Sequence, residues 1–398
     1  MAQALEVIWV DTEEALGALI DDLVGLSRVA VDTEFHGERS YIPHLMLVQI
    51  ASEQAIYLVD PLAEIDLHPL FSCLARPELL VIGHALHNDL EIIYRRYDLV
   101  VSSIFDTQIA GAFLGYGLQI GLTALLRTLS RVKLAKGSQM SDWSRRPLPE
   151  RQVQYAANDV RFLLAAHDKM SAALDRRGRV QWVDEECARL EDGQRYARDP
   201  KDAHRKVSGG RNLKPHEAGV LVELAAERDY IAAELDRVPH FVISDDILVA
   251  LSRRAPRTVN DLAGDRRLRN RQVQRHAERL ITAIDRGREK PWRRPKGRPP
   301  AGPGVEAVAA MVMLMVGQIA TKESIAPPLL LKRKIIQGAL QDGAGDRETL
   351  LDELGLYGWR RSLLGDTIWE LVDGKRAAVC RRDRDGMYVA FEDHDRDG

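Results

Sequence analysis

Cysteine is scarce in this chain of 398 residues. The three cysteines, Cys73, Cys187 and Cys380, lie more than a hundred residues apart and form no CxxC pair. This spacing argues against a disulfide framework and against a thiolate zinc site, and it is typical of a reducing compartment. We therefore expect a cytoplasmic protein.

Long apolar runs are also lacking. The longest apolar stretch, Val308 to Val316, ends at Gly317 and Gln318. It is well short of the roughly 20 residues that a membrane-spanning helix needs. The first residues contain no basic segment that leads into an apolar core, as a secretion signal would. We therefore expect neither a membrane span nor a signal peptide.

The overall composition is that of a folded protein with more than one domain. Hydrophobic residues make up 45% of the chain and charged residues 29%, a balance that excludes wholesale disorder. Since a single hydrophobic core stops growing near roughly 250 to 300 residues, the chain should form two or three domains.

The small net charge of -3 conceals an uneven distribution. Residues 1–200 hold 20 Lys and Arg against 29 Asp and Glu, residues 201–300 hold 23 against 14, and residues 301–398 hold 13 against 16. The middle segment is therefore strongly basic. A carboxylate-rich site beside a module that contacts phosphate would produce this pattern, and so would ordinary variation of a protein surface.

The first part of the chain alternates between strand and helix patterns. Periodicity predicts strands over residues 28–35, 44–51, 55–60 and 79–83, followed by a helix over about 88–96. This alternation indicates an α/β domain with a mixed sheet. From about residue 107 onward the pattern is helical, and we predict no strand of comparable strength in the rest of the chain.

Breaks in the helical pattern divide the chain into five segments. We predict an α/β domain at 1–205, an all-α bundle at 211–288, a basic linker at 289–304, a second helical bundle at 305–378 and a flexible tail at 379–398. The linker prediction depends on the segment PWRRPKGRPPAGPG, whose proline and glycine content excludes helix and sheet.

Two acidic side chains share one face of a predicted core strand. In RVAVDTEF, alternation of side chains places Asp32 and Glu34 on the same face. Like charges side by side repel each other unless a cation neutralises them, so a pair of this kind suggests a hard divalent metal. An exposed edge strand with solvated acids would show the same short pattern.

Two helical segments contain further candidate residues. In QYAANDVRFLL, Tyr155 and Asp159 are four residues apart and so lie on one helix face. In HALHNDLEII, Asp89 begins a helix directly after a buried strand, where α/β sheets gather their active sites. Taken singly, the first pair also fits an ordinary helix surface, and Asp89 also fits an acid that interacts with the helix dipole.

Together, and in this order, DTEF, HALHNDL and YAANDV resemble the three exonuclease motifs of the DEDD superfamily, in the branch with tyrosine in the third motif. The segments IFDTQIA and SDWSRRPLPERQVQYAANDVRFLL resemble the ribonuclease D family. The segment LVELAAERDYIAAELDRVPHFVISDDILVALSRRAP resembles the helicase and RNase D C-terminal (HRDC) domain. The resemblance covers roughly residues 5–290, and residues 305–378 are similar, less specifically, to a second HRDC-type bundle.

The resemblance implies a ribonuclease H-like fold of the DnaQ type followed by two helical bundles. It also implies two divalent ions, with Tyr155 orienting the attacking water. The implied metal ligands are Asp32, Glu34, Asp89 and Asp159. Ligation by carboxylates alone favours magnesium or manganese over zinc. A tyrosine, with an ordinary pKa near 10, is a poor base at neutral pH, which is why it is assigned to positioning.

Five other residues are candidates for contact with substrate: Phe35, His84, Trp143, Arg145 and Arg146. Phe35 and Trp143 could stack on a terminal base, although a tryptophan in a helical region is more often part of the core. His84 could pack within the protein or contact the substrate. The two arginines suit phosphate contact or solvated surface equally. We expect Asp106 to cap a helix rather than to bind metal.

The resemblance implies a 3′–5′ exoribonuclease that releases nucleoside 5′-monophosphates and trims the 3′ ends of tRNA precursors and other small structured RNAs. We expect cleavage to reside in residues 1–205 and the helical modules to hold the RNA. A DNA 3′–5′ exonuclease is the nearest alternative, and a non-catalytic nucleic-acid-binding protein is an alternative of another class. The sequence contains no phosphate-binding G-x-x-x-x-G-K-[ST] loop of a linked helicase, and all four acids are present.

Overall fold

A six-stranded mixed sheet forms the centre of the amino-terminal domain. The computed structural model describes residues 5–130, 141–264, 271–293, 298–343, 345–384 and 386–394. The strands of the sheet are β1 (Glu6–Val10), β2 (Arg28–His36), β3 (His44–Ala51), β4 (Ala55–Val59), β5 (Leu80–Gly83) and β6 (Ile104–Asp106). Their spatial order is β1-β4-β3-β2-β5-β6. Only β3 runs antiparallel to its neighbours, so the predicted mixed α/β sheet is confirmed.

Helices cover both faces of this sheet. The helices of the domain are α1 (Glu13–Val24), α2 (His68–Leu74), α3 (His87–Tyr97), α4 (Thr107–Phe113), α5 (Leu122–Ser130), α6 (Glu150–Arg161), α7 (Leu163–Arg176) and α8 (Val180–Ala188). Leu16, Leu19 and Leu23 of α1 pack on one face together with α2 and α3. Helices α6 and α7 pack on the other face. Strand β2 is buried on both sides, and its carboxyl end is therefore sheltered between helices.

A compact helical bundle follows the α/β domain. Short 3-10 turns, the longest at Pro200–Lys206, lead to the helices α9 (Pro215–Glu234), α10 (Pro239–Val242), α11 (Asp245–Arg254), α12 (Val259–Gly264), α13 (Arg271–Arg275) and α14 (Ala277–Glu289). The bundle has a core of its own, built from apolar side chains of α9, α11 and α14. These bounds agree with the bundle predicted at 211–288.

Two glycines allow α9 and α14 to approach each other closely. A Cβ atom added to Gly287 would lie 2.5 Å from Val220 Cα and 2.7 Å from the Gly219 carbonyl oxygen. Because both obstacles are backbone atoms, they cannot rotate away as a side chain would. A methyl group at position 287 must therefore push the two helices apart.

We accordingly expect Gly287→Ala to destabilise the bundle by about 1–3 kcal/mol, the usual cost of overpacking. Gly317→Ala is the matched control, because a Cβ at that helical position meets nothing within 4 Å. It should be neutral or stabilising by about 0.5–1 kcal/mol, since alanine favours a helix interior. Chemical denaturation of both variants measures the difference. Equal stabilities would show that the close helix contact is not required.

The second helical module contains the helices α15 (Pro303–Glu323), α16 (Pro327–Leu330), α17 (Arg333–Asp342), α18 (Arg347–Glu353) and α19 (Gly358–Val372). Helix α15 is long and apolar enough to cross a membrane by length and composition alone. One such helix is weak support for a membrane span, because a core helix of a soluble protein meets the same criteria. Here Val312, Met315 and Val316 are buried against the rest of the module.

This second module shares its core with the α/β domain. The indole rings of Trp182 in α8 and Trp359 in α19 stack with centroids 4.9 Å apart, and Phe113 meets Trp359 edge-on at 5.0 Å. The Trp359 Nε1–H donates to Glu186 at 3.2 Å. Arg360 lies 4.4 Å from the centroid of the Trp359 ring. We call these five residues the aromatic joint.

A second contact between the same two regions uses a buried arginine. Arg179, only 6% exposed, donates to the Phe113 carbonyl oxygen at 2.7 Å. Its other terminal nitrogen donates to the carbonyl and carboxylate oxygens of Glu323, at 2.7 and 2.8 Å. A guanidinium held by this many acceptors fixes α15 against the α/β domain.

The carboxyl end corrects one prediction. Strands β7 (Arg376–Asp383) and β8 (Gly386–Asp393) form an antiparallel hairpin, so the expectations of a flexible tail at 379–398 and of no further strand are wrong for 379–384 and 386–393. The Gln318 amide of α15 donates to the Val389 carbonyl oxygen at 2.5 Å. Tyr388, Val389 and Phe391 in GMYVAFED are residues that favour strands, a signal that the high charge of this region concealed.

Candidate active site

The acidic residues of strand β2 lie at the centre of the sheet. Asp32 pairs in register with Gln49 of β3, and Glu34 pairs with Leu47. A bulge between Glu34 and Phe35 shifts the register, and the pairing continues with Phe35 opposite Leu45. Bulges bend a strand and redirect its side chains, so the two carboxylates stand just before a bend in the strand.

Helix α3 brings a third carboxylate to β2. Asp89 lies in the first turn of α3 and is only 6% exposed. The hydroxyl group of Thr33 donates a hydrogen bond to Asp89. Thr33 therefore ties the strand to the helix between the two acids of β2. The sequence analysis missed this residue, although a hydroxyl between two acids on a core strand was a visible signal.

Asp106 holds the turn that places Asp89. Its carboxylate accepts the Gln108 backbone N–H at 2.8 Å, which confirms it as the cap of α4. It also accepts the backbone N–H groups of Ala85 and Leu86, at 3.0 and 2.9 Å. Ala85 has a φ of 62°, a left-handed conformation that costs an alanine about 1–2 kcal/mol. The carboxylate thus offsets the strain of the turn before α3, a second role that the sequence did not reveal.

Helix α6 contributes Tyr155 and Asp159 on one face. Asp159 is 8% exposed, and its carboxylate interacts with the Tyr155 side chain through a hydrogen bond. The Trp143 ring packs behind Tyr155, with centroids 6.0 Å apart. The predicted pairing of phenol and carboxylate on one helix face is therefore present.

The four acids are electrostatically coupled. Burial raises the pKa of Asp32 well above its ordinary value, and the charges of Asp89, Asp159 and Glu34 raise it further. Burial, together with Asp159 and Asp89, raises the pKa of Glu34 to about 8. Burial raises the pKa of Asp159 to about 7, against the hydrogen bond from Tyr155.

Asp89 responds in the same way. Burial raises its pKa to about 6, while the hydrogen bond from Thr33 opposes the rise. Within the described part of the chain, none of the four acids forms an ion pair with Lys, Arg or His. Two buried and two half-buried carboxylates without a cationic side chain form a site whose negative charge the protein itself does not compensate.

This donor set fits a hard divalent cation. Carboxylate oxygens are the ligands that magnesium and manganese prefer, and a dication would remove the repulsion that raises these pKa values. Among the described residues, no three His, Cys, Asp or Glu side chains already surround one point at coordinating distance. The acids therefore form a cluster of like charge rather than a closed ion cage.

Three of the residues considered for substrate contact are engaged within the protein. Trp143 is 2% exposed and belongs to the core, so it cannot stack on a base in this structure. Arg146 holds the carboxylate of buried Asp60 with two nitrogens, at 2.5 and 2.6 Å. The ring nitrogens of His84 lie 2.9 Å from the Thr107 hydroxyl and 2.9 Å from the Ile120 carbonyl oxygen. These positions correct the substrate-contact hypotheses for all three residues, because each side chain already has its partners.

Phe35 and Arg145 remain available for contact with substrate. Arg145 is exposed, and Phe35 is half-buried at the floor of a cleft that opens beside Glu34. The cleft is also lined by His36, Arg39, His44, Asp142 and Asp236. Asp236 belongs to the helical bundle, so the site opens between the two domains.

The bundle contacts the loop that follows β2. The hydroxyl of Tyr41 donates to Asp229 of α9 at 2.6 Å, and the Tyr41 backbone N–H donates to Asp236 at 3.0 Å. His44 Nε2 lies 2.7 Å from a carboxylate oxygen of Asp236. These contacts fix the bundle beside the acids of β2. No local pattern in the sequence indicates them, because the partners are almost 200 positions apart.

Comparisons with known proteins agree with this architecture. A family model described as a 3′-5′ exonuclease matches residues 7–175, and a model of the HRDC domain matches residues 217–284. Ribonuclease D of Sphingobium indicum is 35% identical over 364 residues, covering 89% of this chain and 92% of the relative. Ribonuclease D of Zymomonas mobilis is 34% identical over 381 residues, covering 94% and 95%.

A solved structure extends the likeness to the whole fold. The crystal structure of Escherichia coli RNase D, an exoribonuclease involved in structured RNA processing, superposes with a TM-score of 0.77 at 26% identity. The match covers 93% of this chain and 99% of that one. The acidic cluster thus lies within a fold and a sequence shared along nearly the full length of these enzymes, and the chain belongs to the ribonuclease D family of 3′–5′ exoribonucleases.

Proposed function

We propose that this exoribonuclease hydrolyses the terminal phosphodiester of RNA at the acidic cluster and releases nucleoside 5′-monophosphates. Asp32, Glu34, Asp89 and Asp159 would hold two divalent ions, magnesium or manganese. The observation that carries this proposal is the coupling of four carboxylates, two buried and two half-buried, that have no cationic partner within the described residues. Bound divalent ions supply an activated water and stabilise the leaving oxygen of an in-line displacement.

The chain's own residues would provide orientation. The Tyr155 hydroxyl lies beside Asp159, where it can position the attacking water through a hydrogen bond. Thr33 would keep Asp89 turned toward β2. Phe35, at the floor of the cleft, offers a ring face on which a terminal base can stack. Arg145 offers an exposed cation for a phosphate oxygen.

We propose tRNA precursors and other small structured RNAs with a free 3′ end as the substrates, and the cytoplasm as the place of action. The support is the similarity to an E. coli enzyme involved in structured RNA processing and the basic middle of the chain. Arg253, Arg257, Arg271 and Arg275 are exposed on the first bundle, while Arg266, Arg267 and Arg269 lie outside the described residues. Exposed cations on the bundle suit phosphate contacts that raise affinity without reading sequence.

One digestion experiment tests the proposed function. Matched RNA and DNA oligomers, each with a free or a blocked 3′ end, are incubated with the full chain and magnesium. We expect mononucleotide release from RNA with a free 3′ end. Degradation of blocked ends at the same rate would contradict exonuclease action, and a preference for DNA would favour the DNA exonuclease. Failure to release nucleotides with any divalent ion would favour a non-catalytic binding protein.

Tyr155→Phe separates positioning from binding. The hydroxyl is assigned to the water and not to the bound RNA, so we expect kcat to fall by about 10²-fold while KM changes little. Asp159 also loses a hydrogen bond that lowers its pKa. The measurement is steady-state hydrolysis of a short RNA at saturating magnesium. A rise in KM with unchanged kcat would assign Tyr155 to substrate binding instead.

A further inference from the structure

A small, largely enclosed cavity lies where the chain enters and leaves the first helical bundle. Three separate stretches of chain form its wall: residues 204–213, the first turns of α9, and residues 292–293 just after α14. Its volume is about 150 Å³. Since one water molecule needs roughly 10–15 Å³ of such space, the cavity has room for a group the size of a phosphate.

The charged side chains that line the cavity are all positive. Arg205, Arg211 and Arg293 contribute to the wall, and its described lining contains no Asp or Glu. Arg205 pairs with Asp202 at 3.1 Å, but both side chains are more than half exposed, and such surface pairs contribute little. Arg211 and Arg293 form no ion pair with any other described residue. Two uncompensated guanidinium groups beside one cavity favour an anion.

A histidine and a tryptophan complete the wall. His204 Nδ1 lies 2.7 Å from the Lys201 carbonyl oxygen. Because a carbonyl can only accept, this contact places a proton on Nδ1. The other ring nitrogen, Nε2, is shielded from solvent and has no hydrogen-bond partner among the described residues. A buried polar atom of this kind normally has a partner. Nε2 accepts a hydrogen bond when the ring is neutral and donates one when both ring nitrogens carry protons, so a phosphate oxygen would bind here together with a second proton on the ring.

The Trp292 ring contacts this histidine edge-on, with centroids 4.8 Å apart and planes at 72°. The Trp292 backbone N–H donates to the Pro215 carbonyl oxygen at 2.9 Å. This hydrogen bond ties the start of the basic linker to the first residue of α9. The cavity is therefore a built feature of the bundle rather than a gap between loose segments.

We propose that this cavity binds a phosphate group of an RNA strand whose 3′ end occupies the acidic cluster. The inference rests on the proposed function. Helix α9 connects the two places, since Ala218 lines the cavity and Asp229 bonds to Tyr41 of the α/β domain. Eleven helical residues separate them, or about 16 Å at 1.5 Å per residue. A dinucleotide bound at the acidic cluster would not span this distance, whereas a longer strand would.

The test compares the full chain with the double variant Arg211→Gln/Arg293→Gln. The matched control is Arg176→Gln/Arg382→Gln, which removes two exposed arginines far from the cavity lining. Binding of an unstructured 20-nucleotide RNA is measured in EDTA over a range of salt concentrations. Cleavage of a dinucleotide with magnesium is measured in parallel, and so is the thermal shift produced by inorganic phosphate.

We expect the cavity variant to bind the long RNA about tenfold more weakly than the control, with a salt slope shallower by about 0.7, the value for one phosphate of a single strand. Dinucleotide cleavage should be unchanged. Equal affinities and slopes in the two variants would overturn the proposal. A loss of dinucleotide cleavage would also overturn it, because the effect would then act through the α/β domain.

The phosphate arm distinguishes the source of the anion. If inorganic phosphate stabilises the wild type but not the cavity variant, while RNA affinity is equal in both, the site takes free phosphate and the assignment to RNA is wrong. Failure of the proposed function would produce a different result. In that case the wild-type chain releases no mononucleotide, whatever the binding data show for the cavity.

Discussion

Asp32→Asn is expected to lower the rate of RNA hydrolysis by a factor on the order of 10³ or more, equivalent to about 4 kcal/mol of activation free energy. The substitution keeps the shape of the side chain and removes the charge proposed to hold a divalent ion. Asp159→Asn should behave in the same way. Asp175→Asn, an exposed acid on α7, is the control and should keep the wild-type rate.

The same substitution should raise the stability of the metal-free protein. The pKa of Asp32 is raised in the folded state. Folding is therefore opposed at any pH above the ordinary value of 3.8, where the unfolded chain ionises, and the cost reaches its full size above the raised value. Asparagine carries no charge and avoids this cost. The melting temperature of Asp32→Asn in EDTA should therefore exceed that of the wild type.

With magnesium, the wild type should melt at a higher temperature than Asp32→Asn. An ion bound only by the folded state stabilises it by about 2.7 kcal/mol at a hundred times its Kd, and the variant has lost part of the site. Thermal melts with EDTA and with magnesium measure both effects. Wild-type hydrolysis by Asp32→Asn at saturating magnesium would contradict the metal assignment. A lower melting temperature in EDTA would show that the carboxylate has a stabilising partner.

Trp359→Ala should destabilise the α/β domain as well as the second helical module. Trp359 is 3% exposed and stacks between the two regions. Loss of a buried tryptophan costs about 3–5 kcal/mol, which corresponds to a fall in melting temperature on the order of 10 °C for units of this size. Tyr357→Ala, two residues earlier and 55% exposed, is the control and should change stability by about 0.5 kcal/mol or less.

The physical reason is a shared core. Apolar residues of the α/β domain and of the second module belong to one contiguous cluster, so the two should unfold together. Calorimetry and loss of hydrolytic activity with temperature should both shift in Trp359→Ala. If the variant showed a separate early transition while activity persisted to the wild-type temperature, the two regions would be independent.

This contact also changes what a truncation is expected to show. The fragment 1–205 retains Asp32, Glu34, Asp89, Tyr155 and Asp159, which is why we predict that cleavage resides there. It loses the partners of Phe113, Trp182 and Arg179. Weak activity of the fragment would therefore follow from lost stability as readily as from lost RNA binding, whereas the arginine variants of the cavity leave the shared core intact.

The sequence by itself determined the sheet domain, the bundle and the proposed catalytic residues. Strand alternation placed β2 and β3 to within one residue, and Asp32 and Glu34 on a core strand followed from the same alternation. The helical repeat placed Tyr155 and Asp159 on one face, and the resemblance to the exonuclease motifs assigned the catalytic roles. These features depend on spacing over a few residues, which the chain displays directly.

Only the tertiary structure decided which side chains already have partners within the protein. Trp143 and Arg146 looked available for substrate, yet one is buried behind Tyr155 and the other holds Asp60. Other contacts likewise join residues distant in sequence. They are the hydrogen bond of Thr33 to Asp89, the hydrogen bond of Tyr41 to Asp229 of the bundle, and the aromatic joint. Local periodicity shows which face a residue occupies, but its partner is set by how the whole chain packs, because contacts between distant residues leave no repeat in a single sequence.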